Sequence, residues 1–189
     1  METGVGPDEQ LFRIILLVGM LIVVPVLRYY RVRARATKDQ LNRRAEGAFI
    51  LYTLRPFAMA AFLALLLYVI NPRLMSWSAV SMPLWVRWVG VAGAATAAVL
   101  LFAVLFSLGT NLTDTVVTRA SHSLVTTGPY RWVRHPFYGA FALGLASNAV
   151  VTANWFLGLT GFFTVVLVIV RTKIEEQKLI ERFGSQYMD

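Results

Sequence analysis

Two short stretches in the C-terminal part of the chain hold most of the residue types that could do chemistry. The first runs from His122-Ser123-Leu124-Val125 through Gly128-Pro129-Tyr130-Arg131-Trp132-Val133-Arg134 to His135-Pro136-Phe137-Tyr138. The second runs from Arg171 through Glu175-Glu176 to Leu179, Phe183-Gly184 and Tyr187. Gly128-Pro129 cannot continue a helix, so a turn is expected there. His135-Pro136 suits a helix start, where a missing N–H costs nothing. The free N–H groups of such a start favour a carboxylate or another anion. Tyr130, Trp132, Phe137 and Tyr138 offer a platform for a purine or a sulfonium. Adjacent carboxylates at Glu175 and Glu176 repel one another and gain from a cationic group, such as the ammonium of a methionine moiety. A plainer reading stands beside each of these. Tyr130 and Trp132 fit an interfacial aromatic belt, and Arg131 and Arg134 fit topology charges. Arg171 and Glu175, four residues apart, fit a surface ion pair of about 0.2–0.5 kcal/mol. These readings leave unexplained why a turn, two histidines and four aromatic rings share one stretch.

The rest of the 189-residue sequence must position these groups, and its composition says in what medium. Apolar residues make up 57% and charged residues only 15%, against about 45–50% and about 25% in soluble domains. The excess lies in long uncharged runs, the mark of membrane spans. No cysteine is present, which excludes disulfides and thiolate metal sites. With two histidines, a zinc site would need mostly carboxylates, so no metal is expected. The net charge of +8 clusters beside apolar runs, which points to anionic lipid headgroups and not to nucleic acid.

The runs predict an all-α fold, a polytopic membrane bundle of about five transmembrane helices with a C-terminal cytoplasmic helix. A single membrane domain over 1–189 is expected, with spans at about 11–27, 47–70, 84–108, 136–151 and 155–171. The first is short and needs Arg13 to snorkel outward. The second is interrupted by Arg55-Pro56. The uncharged run His135–Val170 has 36 residues, about 54 Å as one helix, and must fold back on itself at Thr152-Ala153-Asn154. Arg55 lies about 12 Å inside the second run and is expected to be the only deep charge. It either snorkels or lines a polar pocket. Basic residues at 28–46 and acidic Glu2, Asp8 and Glu9 put the N-terminus outside, with 111–134 and the C-terminal segment in the cytoplasm. The small-residue stretch Gly90–Ala98 predicts close packing on a helix of this chain or of a neighbour, which leaves the oligomeric state open.

Leu124-Val125-Thr126-Thr127-Gly128-Pro129-Tyr130 followed by Arg134-His135-Pro136-x-Tyr138 resembles the isoprenylcysteine carboxyl methyltransferase family. Glu175-Glu176-x-x-Leu179 followed by Phe183-Gly184-x-x-Tyr187 does as well. The resemblance covers about 108–187, with the motifs at 122–138 and 171–187. It implies an enzyme that uses S-adenosyl-L-methionine at the cytoplasmic face. It further implies cofactor contacts at His122, Ser123, Leu124, Val125, Tyr130, His135, Pro136, Phe137, Tyr138 and Glu175. Arg171 would position the substrate, and Arg55 and Glu176 are candidates for the substrate pocket. Two departures stand out. Thr115 occupies a place where some relatives carry a glutamine, and the chain ends at Asp189 where relatives continue. Either the sequence is cut short or its pocket closes differently.

The expected reaction is O-methylation of the carboxylate of an isoprenylcysteine-like or other lipophilic acceptor that enters from the bilayer. A carboxylate is ionised near neutral pH and needs no general base. Related enzymes that N-methylate phospholipid amines or S-methylate small thiols share much of the pattern, and an amine acceptor would need a base such as His135 or a glutamate. A different class of answer is a non-catalytic lipid-binding membrane protein. A transporter is disfavoured, because no polar path crosses the spans. Nothing in the sequence separates a bacterial inner membrane from an endoplasmic reticulum.

Overall fold

The structure is a computed structural model that describes residues 6–35, 50–109 and 127–183. Five helices carry the fold: α1 (Pro7–Arg35), α2 (Arg55–Ile70), α3 (Leu84–Leu108), α4 (Pro136–Thr152) and α5 (Trp155–Phe183). A π-helical turn, Ile50–Leu54, leads into α2, and short 3-10 turns lie at Pro72–Ser78 and Gly128–Arg131. No strand occurs among the described residues, which contain one isolated bridge between Ala79 and Asn154. The fold is therefore an all-α bundle.

Among the described residues, four stretches are long and apolar enough to cross a membrane: Pro7–Ala34, Tyr52–Ile70, Leu84–Leu108 and Trp155–Gln177. Helix α4 has 17 residues, about 26 Å, slightly under a hydrocarbon core of about 30 Å. It packs most extensively on α3. Small residues make that approach possible. A Cβ on Gly90 would come within 2.9 Å of Val150 and 3.0 Å of the Val151 backbone nitrogen, and one on Gly93 within 2.5 Å of Ser147 Oγ. In lipid no hydrophobic force drives helices together, so such close van der Waals contact carries the association. The small-residue stretch thus packs on this chain's own α4.

The fold-back falls at Ala153-Asn154, between α4 and α5. Ala153 takes a left-handed conformation (φ 46°), and its N–H bonds the last carbonyls of α4. Asn154 is buried and fully used. Its Oδ1 caps α5 at the Leu157 N–H (3.1 Å), and its Nδ2 donates to Ser78 Oγ (2.8 Å) and to the Met75 carbonyl (3.2 Å). The turn is therefore sewn to the segment between α2 and α3.

Two expectations need correction, and one helix is longer than its expected span. Helix α1 runs from Pro7 to Arg35, past both ends of the span expected at about 11–27. Arginine is a good helix former, and no Gly or Pro between 28 and 35 ends the helix. Arg13 does not simply reach for water. It donates to the carbonyls of Val69 (2.6 Å) and Ile70 (2.8 Å) at the end of α2, groups that the helix leaves without internal partners. Arg55 is not the only deep charge. It is the exposed first residue of α2, whereas Arg87 is 8% exposed. Arg87 Nη1 meets Glu9 Oε2 at 2.8 Å, Nη2 donates to the Tyr68 hydroxyl at 2.8 Å, and Nε donates to the Val151 carbonyl at 2.8 Å. Tyr68 also bonds Glu9, and the guanidinium lies over the Phe12 ring. One cation thus ties α1, α2, α3 and α4 together at the end where the α4–α5 turn lies.

Candidate functional site

The opposite end of the bundle carries the motif residues. The Gly128 turn sits against the end of α3. Gly128 has φ 61°, and a Cβ there would meet Ser107 Oγ at 2.1 Å. Only glycine combines that backbone region with that approach. The 3-10 turn Gly128–Arg131 then carries Tyr130 inward, while Trp132 remains 81% exposed with Arg131 over its ring at 5.6 Å.

Pro136 opens α4 with His135 at its N-cap, and the His135 side chain makes no capping bond. The ring is therefore not spent on the helix's own N–H groups. It stacks on Tyr138, with centroids 5.5 Å apart and planes inclined by 15°. The two rings are three residues apart, one above the other on the same face. From α5, Glu175 Oε2 accepts the Tyr138 hydroxyl at 2.5 Å, and Glu176 Oε1 lies 3.3 Å from His135 Nε2. Each of the two consecutive carboxylates thus takes one partner from the first turn of α4. Arg171, half-buried one helical turn before Glu175, lies close enough to Tyr138 for its charge to be felt there.

Tyr130 is half-buried in the loop. Its burial, helped by the Glu175 carboxylate, pushes its phenol well above the ordinary tyrosine value. It therefore stays a neutral donor throughout the physiological range. Phe137 turns the other way, edge-on to Tyr138 and packed with Val26, Leu27 and Tyr30 of α1 around Ala34 and Leu105. Pro136 is buried. Leu54 and Val168 form a buried pair against which Tyr138 and Phe141 pack, so the start of α2 backs the site. Arg55, next to Leu54, lies at this end of the bundle. His122, Ser123, Leu124 and Val125 lie outside the described residues. The sequence reading missed Ser107, Leu54 and Val168, because ordinary span residues carry no local signal of what they back.

A membrane helical bundle with an aromatic, doubly carboxylated end is the class that fold and geometry define. Residues 88–181, just under half of the chain, match the isoprenylcysteine carboxyl methyltransferase family, and this part of the chain is similar to that family. Similar curated proteins are the protein-S-isoprenylcysteine O-methyltransferases of Mus musculus (36% identical over 90 residues, 46% of this chain and 32% of the relative), Rattus norvegicus (35% over 88 residues, 45% and 31%) and Homo sapiens (34% over 90 residues, 46% and 32%). The match thus spans about a third of the length of these curated relatives. Every described site residue falls inside the matched region except Leu54 and Arg55. So does the Gly128 seat on Ser107. The Glu9–Tyr68–Arg87 cluster falls outside it.

Proposed function

We propose that this protein is an integral membrane S-adenosyl-L-methionine-dependent methyltransferase that O-methylates the carboxylate of an isoprenylcysteine-like or other lipophilic acceptor. The observation that carries the reading is the joining of the two motif stretches. Tyr138 reaches Glu175 and His135 reaches Glu176, at one end of the bundle and within the family match.

The groups present fit the donor. Glu175 and Glu176 are half-exposed carboxylates suited to an ammonium. The stacked His135–Tyr138 pair and Tyr130 supply aromatic faces and edges for a purine or a sulfonium. The family resemblance further implies contacts at His122, Ser123, Leu124, Val125, Pro136 and Phe137, of which Phe137 packs toward α1, away from the stacked pair. S-adenosyl-L-methionine would bring a sulfonium methyl that is already strongly electrophilic. The protein's work is then alignment and exclusion of water. Arg171 holds the acceptor carboxylate by its forked donors without drawing off its charge, so its role is positioning. Arg55 and the apolar pair behind Tyr138 border the path of the lipid tail from the bilayer. The basic residues of this end, among them Arg28, Arg33, Arg131 and Lys173, support a cytoplasmic site with the N-terminus outside.

A second reading is N-methylation of a phospholipid amine, favoured by the His135–Glu176 contact, since an imidazole held by a carboxylate is the arrangement of a general base. Calorimetry on the detergent-solubilised protein tests the common ground: S-adenosyl-L-methionine should bind. Transfer of a labelled methyl group to defined lipids then separates the acceptors. Label in an isoprenylcysteine analogue, and none in phosphatidylethanolamine, is the expected result. Folded protein that binds no S-adenosyl-L-methionine ends both readings. Binding without transfer to any lipid would favour a non-catalytic lipid-binding protein.

A further inference from the structure

Glu175 and Glu176 are chemically alike and adjacent, yet the structure gives them different partners. Glu175 takes a hydroxyl, which has one proton to donate and no choice about it. Glu176 takes a histidine ring nitrogen, and that bond carries information. A neutral imidazole has one N–H and one acceptor nitrogen, and the hydrogen bond made by one decides the state of the other. A carboxylate accepts only. With Oε1 of Glu176 at 3.3 Å from Nε2, the neutral ring carries its proton on Nε2 and keeps Nδ1 as an acceptor. The His135 side chain makes no capping bond, so the helix does not override this choice. The same contact fixes the ring's rotation and hence its near-parallel stack on Tyr138.

We propose that Glu176 is a positioning residue for His135 and not part of the acceptor pocket. It selects the Nε2–H tautomer and the stacked orientation, so that His135 offers Nδ1 as an acceptor to a donor group of the bound methyl donor. This rests on the methyltransferase reading and assigns a division of labour within it. Glu175 meets the ligand's charge, whereas Glu176 acts through a ring.

The chain contains only two histidines, which makes the test direct. Protein labelled with 15N at histidine is compared as wild type, Glu176→Ala and Glu176→Gln, and the Kd for S-adenosyl-L-methionine is measured for each by calorimetry. In the wild type, one histidine should show a protonated Nε2 and a bare Nδ1. Glu176→Ala should turn that signal into a tautomer mixture and raise Kd about tenfold, the scale of one lost hydrogen bond to a charged group. Glu176→Gln, whose amide oxygen also accepts from Nε2–H, should restore the tautomer and bring Kd back to within about threefold of wild type. An unchanged histidine spectrum in Glu176→Ala overturns the proposal, whatever happens to Kd. So does a Glu176→Gln variant as weak as Ala, because charge and not tautomer would then be what matters. If the wild type binds no S-adenosyl-L-methionine, the methyltransferase reading fails, while the histidine spectra still report whether Glu176 sets the ring.

Discussion

The two ends of the bundle use the same residue types to opposite effect. At the end with the α4–α5 turn, Arg87, Glu9, Tyr68 and the Val151 carbonyl satisfy one another across four helices. Arg13 and Asn154 close further backbone groups there, the Val69, Ile70 and Met75 carbonyls and the Leu157 N–H. At the motif end, the described tyrosine–glutamate and histidine–glutamate contacts join α4 to α5, and Tyr130 is added from the Gly128–Arg131 turn. The carboxylates there remain half-exposed. A polar cluster satisfied on every side locks helices, because in a low-dielectric interior each lost partner is costly. A polar cluster fed from two helices and a loop keeps capacity for a ligand. What separates closure from site is therefore how many helices contribute, not which residues they contribute.

That contrast can be broken most severely at Arg87. Arg87→Ala leaves Glu9, the Tyr68 hydroxyl and the Val151 carbonyl without their shared donor. It should lower stability by about 3 kcal/mol, as loss of one member of a buried charged pair does, read from unfolding in mixed micelles. S-adenosyl-L-methionine affinity of the protein that remains folded should stay near wild type. A large loss of affinity would mean the ends are not separate. Next comes Gly128→Ala, which adds a Cβ at a left-handed position against Ser107 Oγ. A cost of about 2 kcal/mol is expected. The double variant with Ser107→Ala should recover part of it, the clash being relieved while the backbone penalty stays. Glu175→Ala is expected to do the reverse of Arg87→Ala, weakening the cofactor's Kd about tenfold with little change in the unfolding midpoint.

The smallest effect concerns pH. The Tyr130 phenol is held above its ordinary value by burial and by Glu175. Its contribution to stability is complete below the unfolded tyrosine pKa of about 10 and declines as pH rises further toward the folded value. Unfolding midpoints should therefore fall less steeply above pH 10 in Tyr130→Phe than in wild type. Parallel curves would remove Tyr130 from the desolvated part of the site.

Much of this arrangement is legible from local sequence. The 36-residue uncharged run could not stay straight within a bilayer, and Asn154 marks its turn because its side chain serves a new helix start better than a helix interior. Gly128-Pro129 and His135-Pro136 set a turn and a helix start through backbone restrictions that act over a few residues. The Glu9–Arg87 pairing was not legible. The partners stand 78 residues apart, and a glutamate beside Asp8 in a first helical turn looks like a topology charge. The helical course of residues 28–35 was not legible either, because the basic residues there end the apolar run without ending the helix.

The sequence by itself determined that the chain is helical, that it lies in a membrane, and that its reactive groups fall into two stretches, because apolar run length, proline and glycine act locally. Only the tertiary structure decided which carboxylate faces the tyrosine and which the histidine, and which arginine is buried. Those outcomes depend on how α4 meets α5 and how α1 meets α3, and such contacts between distant segments leave no periodic trace along the chain.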